Sequence, residues 1–243
     1  MDALIYTAMS GAQRAQDTQQ VVAHNLANST TTGFRGSLAV AQTGAMPGAG
    51  LSSRHFALQA PAGIDATPGV LEPTGRALDV AIDGDGYLAL AALPGEGVDI
   101  VYSRGGSLTL DGDGTLRLHG RAVLGEGGPV VVPPHRELDI DADGTLSVAL
   151  DGNGEQMSVD RLQRVLAMPG AMRAAGGGVL VADGGTLPGD DVTLRGAHLE
   201  ASNVSAVGAM VQSMNASRDF EMQMRVFKIA DDLAEGGNRL MRT

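Results

Sequence analysis

Along residues 2–27 the apolar and small side chains Ile5, Met9, Ala12, Ala23 and Leu26 fall on an alternating spacing of four and three, with Gln16 and Gln19 at the positions between them. That period predicts one amphipathic helix whose stripe is thin and polar at its centre. Such a stripe makes a weak solitary hairpin and suits a helix shared among several neighbours. The helix should stop within residues 25–33, NLANSTTTG, whose short polar side chains bond to local backbone and whose glycine accepts a positive φ. A second helix is predicted from about Ser202 to Met241, capped by Ser202 or Asn203. Its apolar stripe is Val204, Val207, Val211, Met214, Phe220, Met224, Phe227, Ala230 and Leu233. Met210, Met214, Met222, Met224 and Met241 also fall in it, and flexible thioethers suit a surface that meets non-identical neighbours as well as an ordinary core.

Between the helices the period changes from helical to two. Alternations such as Leu78, Val80, Ile82 and Leu138, Ile140 border three copies of Asp-x-Asp-Gly-(Tyr/Thr)-Leu, at residues 83–88, 111–116 and 141–146. Asp-Gly between alternating segments predicts hairpins. Residues 75–198 are therefore expected to form a mostly antiparallel β domain, with a core around Leu78, Ile82, Leu108, Leu116, Val131 and Ile140. Residues 37–74, rich in Gly and Pro, read as an extended connector of low regularity.

Composition sharpens this partition. Residues 41–198 hold all 10 prolines and 29 of the 35 glycines, and ten of the 11 net negative charges. The two ends are nearly charge-balanced, which fits segments paired with something, whereas the middle looks solvated. An acidic chain has no general affinity for phosphate backbones, so nucleic acid is not an expected partner. The longest apolar run, residues 88–93, is far below the roughly 18 residues of a spanning helix, so no direct membrane insertion is expected. The start of the chain has no basic stretch before its apolar patch, and a cleavable secretory signal is not expected.

Catalytic and metal chemistry is sought without success. With no cysteine there is no disulfide, thiolate zinc site or thiol nucleophile. His24, His55, His119, His135 and His198 are scattered without ligand spacing, and no nucleophile elbow or phosphate loop occurs. Asp139, Asp141, Asp143 and Gly144 resemble the first half of a calcium loop, but the position for a bidentate Glu is Leu150 and both flanks alternate like strands. These aspartates read as turn formers. The expectation is a chain that is not an enzyme and takes no cofactor or metal. Its two weakly amphipathic ends are best buried against each other and against further subunits; a heterologous contact of that kind gives an open helical polymer.

The ends carry a resemblance. Residues 25–35, NLANSTTTGFR, resemble the amino-terminal signature of the bacterial flagellar rod and hook proteins, and residues 199–204, LEASNV, their carboxy-terminal one. Residues 217–221, SRDFE, are similar to the stretch that follows in that family; Thr32 stands where many members have Pro, and Ser217 where many have Gln. Residues 74–82, TGRALDVAI, with 84–87, GDGY, resemble the rod branch of the family. Residues 1–9 and 125–130 are closer to its proximal-rod type than to its distal-rod type.

The resemblance implies an α+β fold: a discontinuous helical, coiled-coil inner domain from both termini (residues 1–36 and 199–243), the connector 37–74, and an outer, mostly antiparallel β domain at 75–198. It implies a structural subunit of the basal-body rod that crosses the periplasm. The implied partners are copies of itself, other flagellar rod proteins and the flagellar type III export apparatus. The expected assembly interface comprises Ile5, Met9, Ala12, Ala23, Leu26, Asn28, Gly33, Phe34, Leu199, Asn203, Val204, Val207, Val211, Met214, Phe220, Met224 and Phe227. A secreted β-domain binding module with the aspartate turns as its site is the competing class.

Overall fold

The computed structural model describes residues 2–45, 55–59, 63–150, 156–168 and 170–240; the side chains of residues 2–7, 41–45, 55–59, 238 and 240 lie outside the description. Ile5, as an interface side chain, and Met241 therefore lie outside it. The chain divides into a helical unit, Met1–Ala27 with Ser37–Ala62 and Val204–Thr243, and a β unit, Asn28–Gly36 with Gly63–Asn203. The fold class is α+β.

In the helical unit α1 spans Asp2–Ala27 and α2 spans Ala206–Leu240. Helix α2 starts later than expected because Ser205 is its cap: Ser205 Oγ accepts the Gly208 N–H at 3.2 Å. The two helices lie against each other through Ala8, Ala15 and Val22 on α1 and Ala209, Ala216 and Ala230 on α2, all buried. This seam is turned by about one residue from the expected α1 stripe. Met9, Gln16 and Ala23 are exposed, while Ala12, Gln19 and Leu26 are half-buried at its flank. Small side chains win the seam because they let the backbones approach; a Cβ on Gly11 would come within 2.8 Å of the Gln223 side chain. Where a connector of low regularity is expected, Ala41–Ala45 and His55–Gln59 pair as an antiparallel hairpin beside α1.

In the β unit every strand pairing is antiparallel. A six-stranded sheet runs in the spatial order Met172–Gly176, Val179–Ala182, Ile100–Ser103, Tyr87–Ala91, Arg164–Ala167, Thr186–Pro188. A three-stranded sheet sets Asp79–Asp83 between Thr193–Gly196 and Gly105–Ser107; another sets Thr145–Ala149 between Glu137–Ile140 and Gln156–Arg161. Val80, Ile82, Leu88, Leu90, Leu108, Leu116, Val123, Ile140 and Leu146 meet in one buried apolar cluster.

Two local expectations are corrected. Of the three Asp-Gly turns, those at 111–116 and 141–146 close hairpins, but Asp79–Asp83 and Tyr87–Ala91 do not pair and belong to different sheets. In the two hairpins the left-handed residue is Gly114 or Gly144; in the first copy Gly84 already has φ +87° and Gly86, at φ +156°, is pressed under Val192, so the chain leaves the sheet. In the expected core, Ile82, Leu108, Leu116 and Ile140 are buried and Leu78 is partly buried, but Val131 is 54% exposed while Val130 and Val132 are buried. With a side-chain period of two, a one-residue shift exchanges the faces.

Two expectations for experiment follow from this packing. Val130→Ala and Val132→Ala should each destabilise the β unit by about 2 kcal/mol, with Val131→Ala within about 0.5 kcal/mol of wild type, measured by urea unfolding. The Asp111 carboxyl is held below the ordinary carboxylate range chiefly by its bond from Arg117, and that of Asp143 chiefly by the Thr145 N–H. Their contribution is complete above the ordinary value of about 4 and is lost as pH falls through the depressed values. Thermal midpoints should be level at neutral pH and drop in acid, with a smaller drop in Asp111→Asn/Asp143→Asn.

Candidate assembly surface and the clasp beside it

Beyond Ala27 the chain turns through residues 28–31, where Thr31 donates its N–H to the Asn28 carbonyl at 3.1 Å and its hydroxyl to Asn28 Oδ1 at 3.2 Å. Gly33 then takes φ +67°, a conformation that costs a residue with a Cβ about 1 kcal/mol. Its N–H donates to the Glu200 carbonyl at 2.7 Å. Phe34 is buried, and its carbonyl accepts the Asn203 N–H at 3.3 Å. Asn203 Oδ1 accepts the Gly36 N–H at 2.8 Å, and its Nδ2 donates to the carbonyls of Asp65 and Thr67, both at 3.0 Å. Asn25 clamps Ser37 twice, through Nδ2 to the Ser37 carbonyl at 2.9 Å and from the Ser37 N–H to Oδ1 at 2.8 Å.

Beneath these bonds lies an ion triad. Arg35 Nη2 stands 2.8 Å from Glu200 Oε1 and Arg104 Nε 2.9 Å from Glu200 Oε2, with all three side chains 2% exposed. Arg35 Nη1 donates to the Thr67 carbonyl, while its Nε is buried without a hydrogen-bond partner among the described residues. Arg104 also donates to the carbonyls of Gly86 at 2.6 Å and Ile82 at 3.2 Å and lies over the Tyr87 ring. Burial, and then repulsion by Arg104, lowers the proton affinity of Arg35.

The two signatures read from sequence are thus partners of one another. Asn28, Gly33, Phe34, Leu199 and Asn203 lie in this clasp, Leu199 by strand pairing with Glu72; Val204 is half-buried beyond it. Sequence reasoning missed Arg104, which lies in no motif, and Ser205. It also missed the alanine seam, although alanines seven residues apart were there to be read.

Of the remaining expected interface residues, Ile5, Met9, Ala12, Ala23 and Leu26 lie on α1 and the others on α2. Val207 is 72% and Met214 57% exposed, and Val211, Met224 and Phe227 are exposed as well; Phe220 is half-buried. Met210, Met222, Val226, Ile229 and Leu233 are exposed too. At 100° per residue Val207, Val211, Met214, Met222 and Ile229 share the face opposite the alanine seam, with Arg218 and Arg225 among them. On α2 the buried seam positions are alanines and the large apolar side chains of the opposite face are exposed, with Glu221 and Asp232 on that face beside the two arginines.

The aspartate turns are used locally. Asp143 accepts the N–H and the hydroxyl of Thr145 at 3.0 and 2.9 Å, and Asp139 Oδ1 accepts the Ile140 N–H at 3.0 Å. Among the described residues no group of three or more His, Asp or Glu is placed to hold a metal ion, and no helix is long and apolar enough to cross a membrane.

Two family models match the chain: flagella basal body rod protein over residues 5–35, and flagellar basal body rod FlgEFG protein C-terminal over residues 195–240. The chain is 38% identical over 252 residues to the flagellar basal-body rod protein FlgF of Escherichia coli K12, covering 99% of both chains. It is 37% identical over 261 residues to FlgF of Salmonella typhimurium, again covering 99% of both. Against the rod protein FlgG of Bacillus subtilis it is 36% identical over 126 residues, 46% of each chain.

The clasp glycines give a graded test. Gly33→Ala should cost about 1 kcal/mol by backbone strain. Gly69→Ala, whose Cβ would stand 1.9 Å from the Ala201 carbonyl oxygen, should cost about 3 kcal/mol by forcing the two segments apart. Urea unfolding followed by far-UV circular dichroism measures both.

Proposed function

Because the chain belongs to the flagellar basal-body rod protein family, we infer that it is a structural subunit of the bacterial flagellar rod. We further infer that it is of the FlgF, proximal-rod type and polymerises through its terminal helices into the axial drive shaft. The likeness to FlgF runs the full length of the chain, which favours that type over FlgG. Its place is the basal-body rod, and no catalytic role is assigned to it.

The observation that carries the assembly reading is the outward apolar face of α2. Each large side chain on it gains about 1.5–3 kcal/mol when fully covered, whereas the alanines of the seam bury little area apiece. Ala8, Ala15 and Val22, and Ala209, Ala216 and Ala230, recur at multiples of seven residues, which supports a coiled-coil inner domain. The β unit is the outer domain. The helical pair is marginal in the free subunit and reaches full order when neighbours cover it. Those neighbours are copies of this chain and other rod proteins, and the exposed methionines suit a mixed set of partners. The family further supports delivery by the flagellar export apparatus and a rod that spans the periplasm.

Val211→Glu is the direct test, because its helical neighbours three and four residues away are Val207, Gly208, Met214 and Asn215 and include no cation. A carboxylate on this face is harmless in free subunits and, buried unpaired in the rod, costs several kcal/mol. The variant should be secreted and soluble, with an intact β unit, yet fail to enter the rod and leave cells non-motile. Normal motility with wild-type incorporation contradicts the assignment of this face. In limited proteolysis of dilute subunits the terminal helices should be cut before residues 75–197; equal resistance contradicts ordering on assembly.

A further inference from the structure

Three distant segments meet at Glu200, and their charges do not balance. Oε1 receives Arg35 Nη2 at 2.8 Å and the Gly69 N–H at 2.7 Å; Oε2 receives Arg104 Nε at 2.9 Å. Among the described residues Glu200 is the one carboxylate within ion-pair distance of either arginine. Two buried cations therefore share one anion. Withdrawing Glu200 strands both, which is far costlier than any gain from the pair itself, whereas withdrawing Arg35 leaves a neutral pair.

The carboxylate rides on the short strand His198–Glu200, whose sheet partner among the described residues is Leu71–Pro73. The same stretch holds the segment that follows α1, through Gly33 N–H to the Glu200 carbonyl, Asn203 N–H to the Phe34 carbonyl and Gly36 N–H to Asn203 Oδ1. No residue of 28–36 or 198–203 belongs to either buried apolar cluster of the β unit. Phe34 is the buried apolar side chain of the clasp and Arg104 lies over Tyr87, but the other links across it are charge and backbone bonds.

We propose that Glu200 is a latch: its two ion pairs hold the segment after α1 and the segment before α2 as one cooperative unit that opens together while the β core stays folded. The two segments are then held or released in a single step, so neither is fixed while the other is loose. Stabilities within a native protein divide into such cooperative units, and those with few apolar contacts open first. The latch is a property of the chain's own residues and stands whatever covers the outer face of α2.

Amide hydrogen exchange on the full chain tests it. In Glu200→Gln the amides of Gly33, Gly36, Gly69, Ala201 and Asn203 should all exchange faster by a common factor of about tenfold or more, with Leu116, Val123 and Val132 unchanged. Arg35→Met should accelerate the same amides by a smaller factor. The proposal is overturned if only Gly69 accelerates, or if the core amides accelerate equally or the core is lost. It is also overturned if Arg35→Met matches or exceeds Glu200→Gln.

Discussion

A single buried carboxylate facing two buried guanidinium groups is the constraint around which the clasp is built. Glu200 must stand where it does because Arg35 and Arg104 are each 2% exposed and have no other anion in reach among the described residues. Its position fixes the strand His198–Glu200, and that strand brings Asn203 to the carbonyls and amides of residues 34, 36, 65 and 67. The stretch after α1 and the stretch before α2, which are far apart in sequence, become one hydrogen-bonded body. A buried triad of this kind adds little stability compared with a well-packed apolar cluster, but it tolerates the loss of its anion poorly. It therefore specifies an arrangement more than it strengthens one.

The helices follow a different rule. A helix pair that existed to be stable alone would place valine, methionine and phenylalanine at its seam. Here five alanines and a single valine, Val22, occupy the seam, and Val207, Val211, Met214, Met222 and Ile229 are left on the opposite face. The apolar area held back in the free chain is the driving force available to a larger assembly. That inversion is the physical logic of a subunit that coheres with its neighbours in a rod.

Much of this was legible in the sequence, and the failures have identifiable causes. The limits of α1, the antiparallel middle and two of the three Asp-Gly hairpins followed from period and turn chemistry. The seam did not, because large apolar side chains at 5, 9 and 26 drew attention from alanines at 8 and 15, and hydropathy ranks size where this packing ranks closeness. Val131 cannot be told from Val130 and Val132 in the sequence, because three consecutive valines carry no alternation to set a register. The sequence points to Ser202 or Asn203 as the cap, but Asn203 is drawn into the clasp, which leaves Ser205 to cap α2. Arg104 had no local signal at all: its meaning depends on Glu200, ninety-six residues away, and only the fold brings the two together.

The central claim is that the outer face of α2 is open in the free subunit and covered in the rod. The chain has no cysteine, so Val211→Cys offers a clean single thiol on that face. Its labelling rate with a water-soluble maleimide should be fast in the purified subunit and strongly suppressed in intact basal bodies that contain the variant. Equal labelling in both states would contradict the account, because the face would then remain in water after assembly.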